Sequence, residues 1–181
     1  MEVDWSSPKG GLFYVFFQHV QWPRSFALAA IVLFLPTLVS LSLPPSGPWA
    51  EYPGIFFHLA ILALVSLLAA PTWGQSAGYL WVCLDVLAGV LAIQNVPSEL
   101  VMNVRLGGHI FAGIWLIASS FRASMGLRIV GIVAGAWLTG YTFLATFLPA
   151  KFLAPATILM VVWLIIVAIQ NKHPEVSGKS E

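Results

Sequence analysis

The chain alternates long apolar runs with brief polar interruptions, and six of those runs approach the roughly 20 residues that a helix needs to cross about 30 Å of hydrocarbon. They lie near 25–43, 54–70, 77–95, 104–121, 127–148 and 152–170. The connections are short, so sequential helices pack as antiparallel neighbours and no extramembrane domain fits between them. Ahead of the first run, Leu12, Phe13, Phe16, Phe17 and Val20 recur at helical spacing, with Tyr14, Gln18 and Gln21 on the other side. Residues 1–24 therefore read as an amphipathic helix lying in the headgroup region. Charge, proline and glutamine interrupt its apolar run and no small-residue site follows, which argues against a cleavable signal. The predicted fold is an all-α membrane protein: a six-transmembrane-helix bundle with short loops (25–170), an N-terminal interfacial segment (1–24) and a polar tail (171–181).

Composition agrees with the pattern. With 59% hydrophobic and only 8% charged residues and a mean hydropathy of +0.90, a chain of 181 residues has too much apolar surface for a soluble core to hide. The expected partner is the lipid bilayer; a homo-oligomer or another membrane protein are further candidates. A net charge of +1 gives no reason to expect nucleic acid. The single cysteine, Cys83, excludes an intramolecular disulfide and reads as a small buried hydrophobe. Trp22, Trp49 and Trp73 fall at segment ends, where interfacial anchors belong.

Charge adds an orientation. Lys9, Arg24, Arg122, Arg128, Lys172 and Lys179 share one side of the predicted bundle, and only Arg105 and Lys151 oppose them. By the positive-inside rule both termini are cytoplasmic, and a multi-pass protein of the cell membrane is expected. The proline-rich loop 43–53 and the Glu99 loop then face outward. Two segments, from Leu84 and from Ile132, share an Ala-Gly-containing run that ends at an outer proline. They would form a weak parallel repeat, although shared membrane composition accounts for the likeness equally well.

Candidate chemistry concentrates between Tyr79 and Phe121. Asp85 is the only carboxylate inside a long apolar run, roughly 13 Å below the outer boundary at 1.5 Å per residue. A charged group at that depth costs at least about 2.5 kcal/mol on insertion scales, so it must face the bundle or a wet cavity. Ala88, Gly89 and Ala92 share its helical face and would let a neighbouring helix approach, making Asp85 either packing glue or a proton- or cation-binding group. His58 and His109 are placed at a common depth of roughly 6 Å, a spacing that could suit a metal ion or the two axial positions of a haem. Two ligands are few for a metal, and separate interfacial hydrogen bonds explain the pair better. Glu99 and Arg105 close the outer end of one hairpin, as an ion pair or, preferably, solvated. Asn95 and Asn103 suit turn and capping roles. Gly131 and Gly135 form a GxxxG packing face that Thr139, Thr142 and Thr146 continue, either bonded to backbone or lining a polar path opposite Asp85. Pro36 and Pro155 permit kinks.

No P-loop, dinucleotide fingerprint, HExxH, nucleophile elbow, selectivity filter or arginine ladder is present in the sequence. An enzyme is therefore the less favoured reading. The residues leave an accessory or structural membrane component first, with no cofactor expected. A small-solute or proton transporter or channel comes second, using Asp85, Thr139, Thr142, Arg105 and Glu99. A single-haem redox protein held by His58 and His109 is third.

Overall fold

The computed structural model describes residues 22–40, 49 and 51–170, and among them every regular element is a helix. Six apolar helices follow one another: α1 (Trp22–Ser40), α2 (Glu51–Leu67), α3 (Thr72–Ile93), α4 (Ser98–Ser120), α5 (Met125–Leu144) and α6 (Ala154–Gln170), the last preceded by a 3₁₀ turn, Ala150–Leu153. Five stretches are long and apolar enough to cross a membrane: Trp22–Val39, Thr72–Ile93, Ser98–Ser120, Met125–Leu144 and Ala150–Gln170. At 17 residues α2 is shorter, about 25 Å of helix. The predicted interfacial helix, apart from its last residues, and the polar tail lie outside the described residues; Trp22, Pro23 and Arg24 belong to α1.

Five of the six helices begin earlier than their apolar runs. Hydropathy marks only the stretch that hydrocarbon would cover, whereas the helical backbone continues into polar residues at each entry. Thus α2 starts at Glu51 rather than near 54, and α4 at Ser98 rather than near 104. Prolines fix the entries: Pro71 and Pro97 stand at the caps of α3 and α4 with extended ψ of 154° and 130°, where a missing N–H costs nothing. The α3 exit is a Schellman turn. Asn95 takes a left-handed φ of 57°, its N–H reaches the Ala92 carbonyl at 3.0 Å, and the Val96 N–H reaches Leu91 at 3.0 Å. Asn95 therefore has the turn role expected of it, whereas Asn103 lies inside α4 and caps nothing. Pro155 sits in the first turn of α6, where it replaces an N–H that would be orphaned anyway, so it introduces no kink; Pro36 does lie inside α1.

Each helix packs its backbone against its neighbours in sequence, and α6 returns against α1; among the described residues the other helix pairs meet through side chains alone. The six helices therefore close a ring. Small residues set its tightest crossings. A Cβ added at Gly135 would lie 2.6 Å from the Gly113 carbonyl oxygen, so the GxxxG face of α5 lets the α4 and α5 backbones nearly touch. Gly131 leaves room for Ser120 and the Trp163 indole, and Gly89 for Ile55 of α2, 2.8 Å from where a Cβ would stand. The Ala-Gly segments of α3 and α5 run in the same sense, and each glycine packs on the helix before it.

One half of the ring is a packed core and the other half is not. Ala27 and Ala30 of α1, Ile61, Leu64 and Val65 of α2, Trp115 and Leu116 of α4, and Trp163 and Leu164 of α6 are fully buried at one end of the bundle. Large apolar side chains such as Val32, Ile129, Phe143 and Ile158 point outward, as lipid contact requires of a multi-pass membrane protein. Cys83 joins that outer surface and is exposed rather than buried, because it lies off the face of α3 that carries Asp85. Trp22, Trp49 and Trp73 are exposed near helix ends.

The crossings give a stability test. Replacing Gly135 with Ala should cost about 1–3 kcal/mol, because neither backbone can yield. Gly140→Ala, on the same helix with nothing within 4 Å of the added methyl, should cost nothing. Thermal unfolding of the two variants in detergent measures the difference.

Candidate functional site

The unpacked half of the ring holds a cavity of about 330 Å³, and all six helices line it. Phe34 and Thr37 come from α1; Glu51, Gly54, Ile55, Phe57 and His58 from α2; Trp81, Asp85 and Gly89 from α3. From α4 come Met102, Arg105, Leu106 and His109, from α5 Leu138 and Tyr141, and from α6 and its 3₁₀ turn Ala150, Leu153, Ala156, Thr157 and Met160. An aromatic layer crosses the bundle beneath. Phe34 meets Phe57 with ring centroids 4.5 Å apart, Phe57 meets Trp81, Trp81 meets Trp115 at 5.6 Å, and Trp115 meets Trp163 edge-on at 5.4 Å. The Trp163 indole donates to Ser120 Oγ at 3.0 Å, which ties the layer to the end of α4.

Asp85 occupies the wall of this cavity and is 4% exposed. His58 Nε2 approaches its Oδ2 at 3.1 Å from α2, and Trp81, one turn earlier on α3, donates its indole N–H to the same oxygen. Helical spacing makes the Trp81 contact possible, since residues four apart share a face. The Trp81 and His58 rings meet at 87° with centroids 5.5 Å apart, so the indole also fixes the imidazole plane. On the third side α4 presents Gly108, and a Cβ there would lie 3.3 Å from the carboxyl. His58 Nδ1 donates to the Gly54 carbonyl at 2.7 Å, which locks the ring from behind. Asp85 Oδ1 and His109 Nδ1 are buried with no hydrogen-bond partner.

His58 and His109 lie deeper than their spans suggest. Counted from Glu51 and Ser98, the true helix starts, they are roughly 10 and 16 Å in. Asp85 is roughly 12 Å from the α3 end at Ile93, so it meets His58 directly. The expected difference in depth between the carboxylate and His58 disappears, and the two converge as a pair. Both ring nitrogens of His58 are engaged, by Gly54 and Asp85. Among the described residues no group of three or more His, Cys, Asp or Glu side chains could hold a metal ion.

Arg105 pairs across helices with Glu51, at 2.6 Å, and not with Glu99. Glu99 is exposed and lines a shallow groove at the rim beside Asn103 and Thr146. Thr139 and Thr142 are not in the cavity wall. Thr139 lies against Gly113, and Thr142 Oγ1 donates to the carbonyls of Leu106 and Leu138, so both serve the α4–α5 crossing. Sequence reasoning missed Glu51, Trp81 and Tyr141. Glu51 was legible as the acidic first turn of a helix entered through Pro53. Trp81 was legible from its four-residue spacing to Asp85, and Tyr141 carried no signal that set it apart from other apolar-face aromatics.

Comparison with protein-family models, with curated proteins and with solved structures finds no match for this chain.

Two pairs of very different burial give contrasting expectations. His58→Ala leaves Asp85 with Trp81 as its single partner and should cost about 3 kcal/mol, the usual loss when one side of a buried pair is removed. Glu51→Gln, at a pair whose side chains are 27% and 31% exposed, should cost no more than about 1 kcal/mol. Unfolding of both variants in the same detergent compares them.

Proposed function

We propose that the protein is a small-solute pathway, in which a vestibule closed by the aromatic layer receives its solute beside the His58–Asp85 pair. One observation carries this reading: Asp85, the only fully buried carboxylate among the described residues, stands in the wall of a cavity that all six helices build. A packing role for Asp85 would be served as well by a filled interior, since interiors close to native density wherever nothing requires space. The cavity lining is mostly apolar with a few convergent polar groups, the character of small-molecule sites.

In this reading all six helices span the bilayer, α6 together with its 3₁₀ turn and α2 with 17 residues alone. Arg24 and Arg128, in the first turns of α1 and α5, and Arg122, in the α4–α5 turn, share one end of the bundle. By the positive-inside rule that end is cytoplasmic, which places both termini inside and opens the vestibule outward. The Glu51–Arg105 pair ties α2 to α4 at the vestibule mouth, and Glu99 lies on its rim. Trp115 and Trp163 block the inner half, so passage requires the aromatic layer to part. Movements of that kind, in which packed helices slide or rotate about a fixed site, are the ordinary way membrane carriers alternate access.

Single cysteines test the vestibule in a Cys83→Ala background. Leu106→Cys and Thr157→Cys, in the cavity wall, should react with a membrane-impermeant maleimide from the face that carries the α3–α4 turn. Ala118→Cys, buried beyond the aromatic layer, should not. Failure of both wall cysteines to react from either side would make the cavity a sealed void and return the protein to a structural role.

A further inference from the structure

We infer that the His58–Asp85 pair is a proton-exchange site, holding one proton that leaves when a small organic cation binds against Asp85. The inference rests on the solute-pathway reading and names the class of solute. It follows from which atoms can donate. The Gly54 carbonyl can only accept, so His58 Nδ1, 2.7 Å away, carries a proton. Asp85 Oδ2 already accepts from the Trp81 indole and lies 3.1 Å from His58 Nε2. Two bare acceptors do not sit at that distance, so a second proton lies between Nε2 and Oδ2. Whether imidazolium faces carboxylate or imidazole faces carboxylic acid, the pair as a whole is uncharged.

The other charged and titratable groups around the cavity keep that balance. Glu51 from α2 and Arg105 from α4 neutralise each other at 2.6 Å. His109 from α4 and Tyr141 from α5 complete the titratable lining, while α1 and α6 contribute only the hydroxyls of Thr37 and Thr157. With His109 uncharged the vestibule is neutral as it stands. An added cation would make it positive in a medium of low dielectric, which is costly unless a compensating charge leaves.

The shared proton is that charge. The exchange balances: an ammonium enters, one proton departs, Asp85 remains as carboxylate, and His58 keeps its Nδ1 proton and offers the Nε2 lone pair. The ammonium enters between the two side chains, which move apart once the proton between them has left, and donates to Nε2 and to the Asp85 carboxylate, including Oδ1, the buried oxygen that has no partner now. Phe34, Phe57, Trp81 and Tyr141 supply aromatic surface to the same cavity, and ring faces attract ammonium groups. A volume of about 330 Å³ lies near the lower end of the range for small-molecule sites, which limits the occupant to a compact alkyl- or arylamine. An anion would find Arg105 already committed to Glu51.

The full chain in lipid nanodiscs, weakly buffered with a pH indicator, tests this with 2-phenylethylamine, 2-phenylethanol and 3-phenylpropanoate as probes. Expected is one proton released per amine bound, with amine affinity rising about tenfold per pH unit wherever the pair is protonated and the amine charged. The alcohol should bind at least tenfold more weakly, and the carboxylate not measurably. Asp85→Asn should abolish both binding and release, and Asp85→Glu should restore the proton count. The wild-type count decides the matter even where a variant fails to fold. Amine binding without proton release, or equal binding of the alcohol, overturns the exchange. Absence of amine binding while the wall cysteines still react overturns it too, and leaves the vestibule standing.

Discussion

A carboxyl group in the middle of an apolar bundle must be supplied with partners, and the arrangement of α2, α3 and α4 follows from that requirement. An uncompensated charge at such depth costs several kcal/mol, so the helices around Asp85 are placed by what they bring to it. His58 comes from α2 with its ring fixed behind by Gly54, Trp81 comes from one turn earlier on α3, and Gly108 lets α4 close the third side. The small residues at Gly78 and Gly89 bring α3 close to α2, which is what allows His58 to reach. Packing and polar satisfaction therefore depend on one another here.

The ring topology then divides the molecule. Around Trp115 and Trp163 the six helices meet through large buried side chains and leave no room. Around Asp85 the same helices stand apart, and the space between them is bounded by side chains from every one. A bundle that needed only to be stable would fill both halves alike. Among the described residues every carboxylate belongs to the open half: Asp85, paired with His58, in its wall, Glu51 with Arg105 at its mouth, Glu99 on its rim. That confinement is the feature on which the proposed solute pathway rests.

The all-helical architecture, the order of the apolar segments and the glycine faces were legible in the sequence, because lipid imposes long apolar runs and close crossings demand small residues. Asp85 was legible for the same reason, as the exception within a run. Helix starts were not, since polar residues such as Glu51, Ser98 and Glu99 extend a helix beyond the stretch that hydropathy detects. That displacement moved His58 and His109 too near the surface and hid the meeting of His58 with Asp85. The threonines of α5 illustrate a second limit. Thr139 and Thr142 share a side with Gly135, but a shared face does not say whether it meets a cavity or a neighbour, and here it meets α4. Arg105 illustrates a third: proximity in sequence offered Glu99 as its partner, with solvation preferred, whereas the ring brings Glu51 to it from a different hairpin.

Infrared difference spectroscopy of the Asp85 side chain measures the pairing and the wetness of its surroundings together. The Asp85 carboxyl band, identified by its loss in Asp85→Asn, should shift promptly on transfer to D₂O and should move again in His58→Gln. A band that ignores both deuterium and the loss of His58 would place Asp85 in dry packing without its histidine partner, contradicting the vestibule and the pair at once.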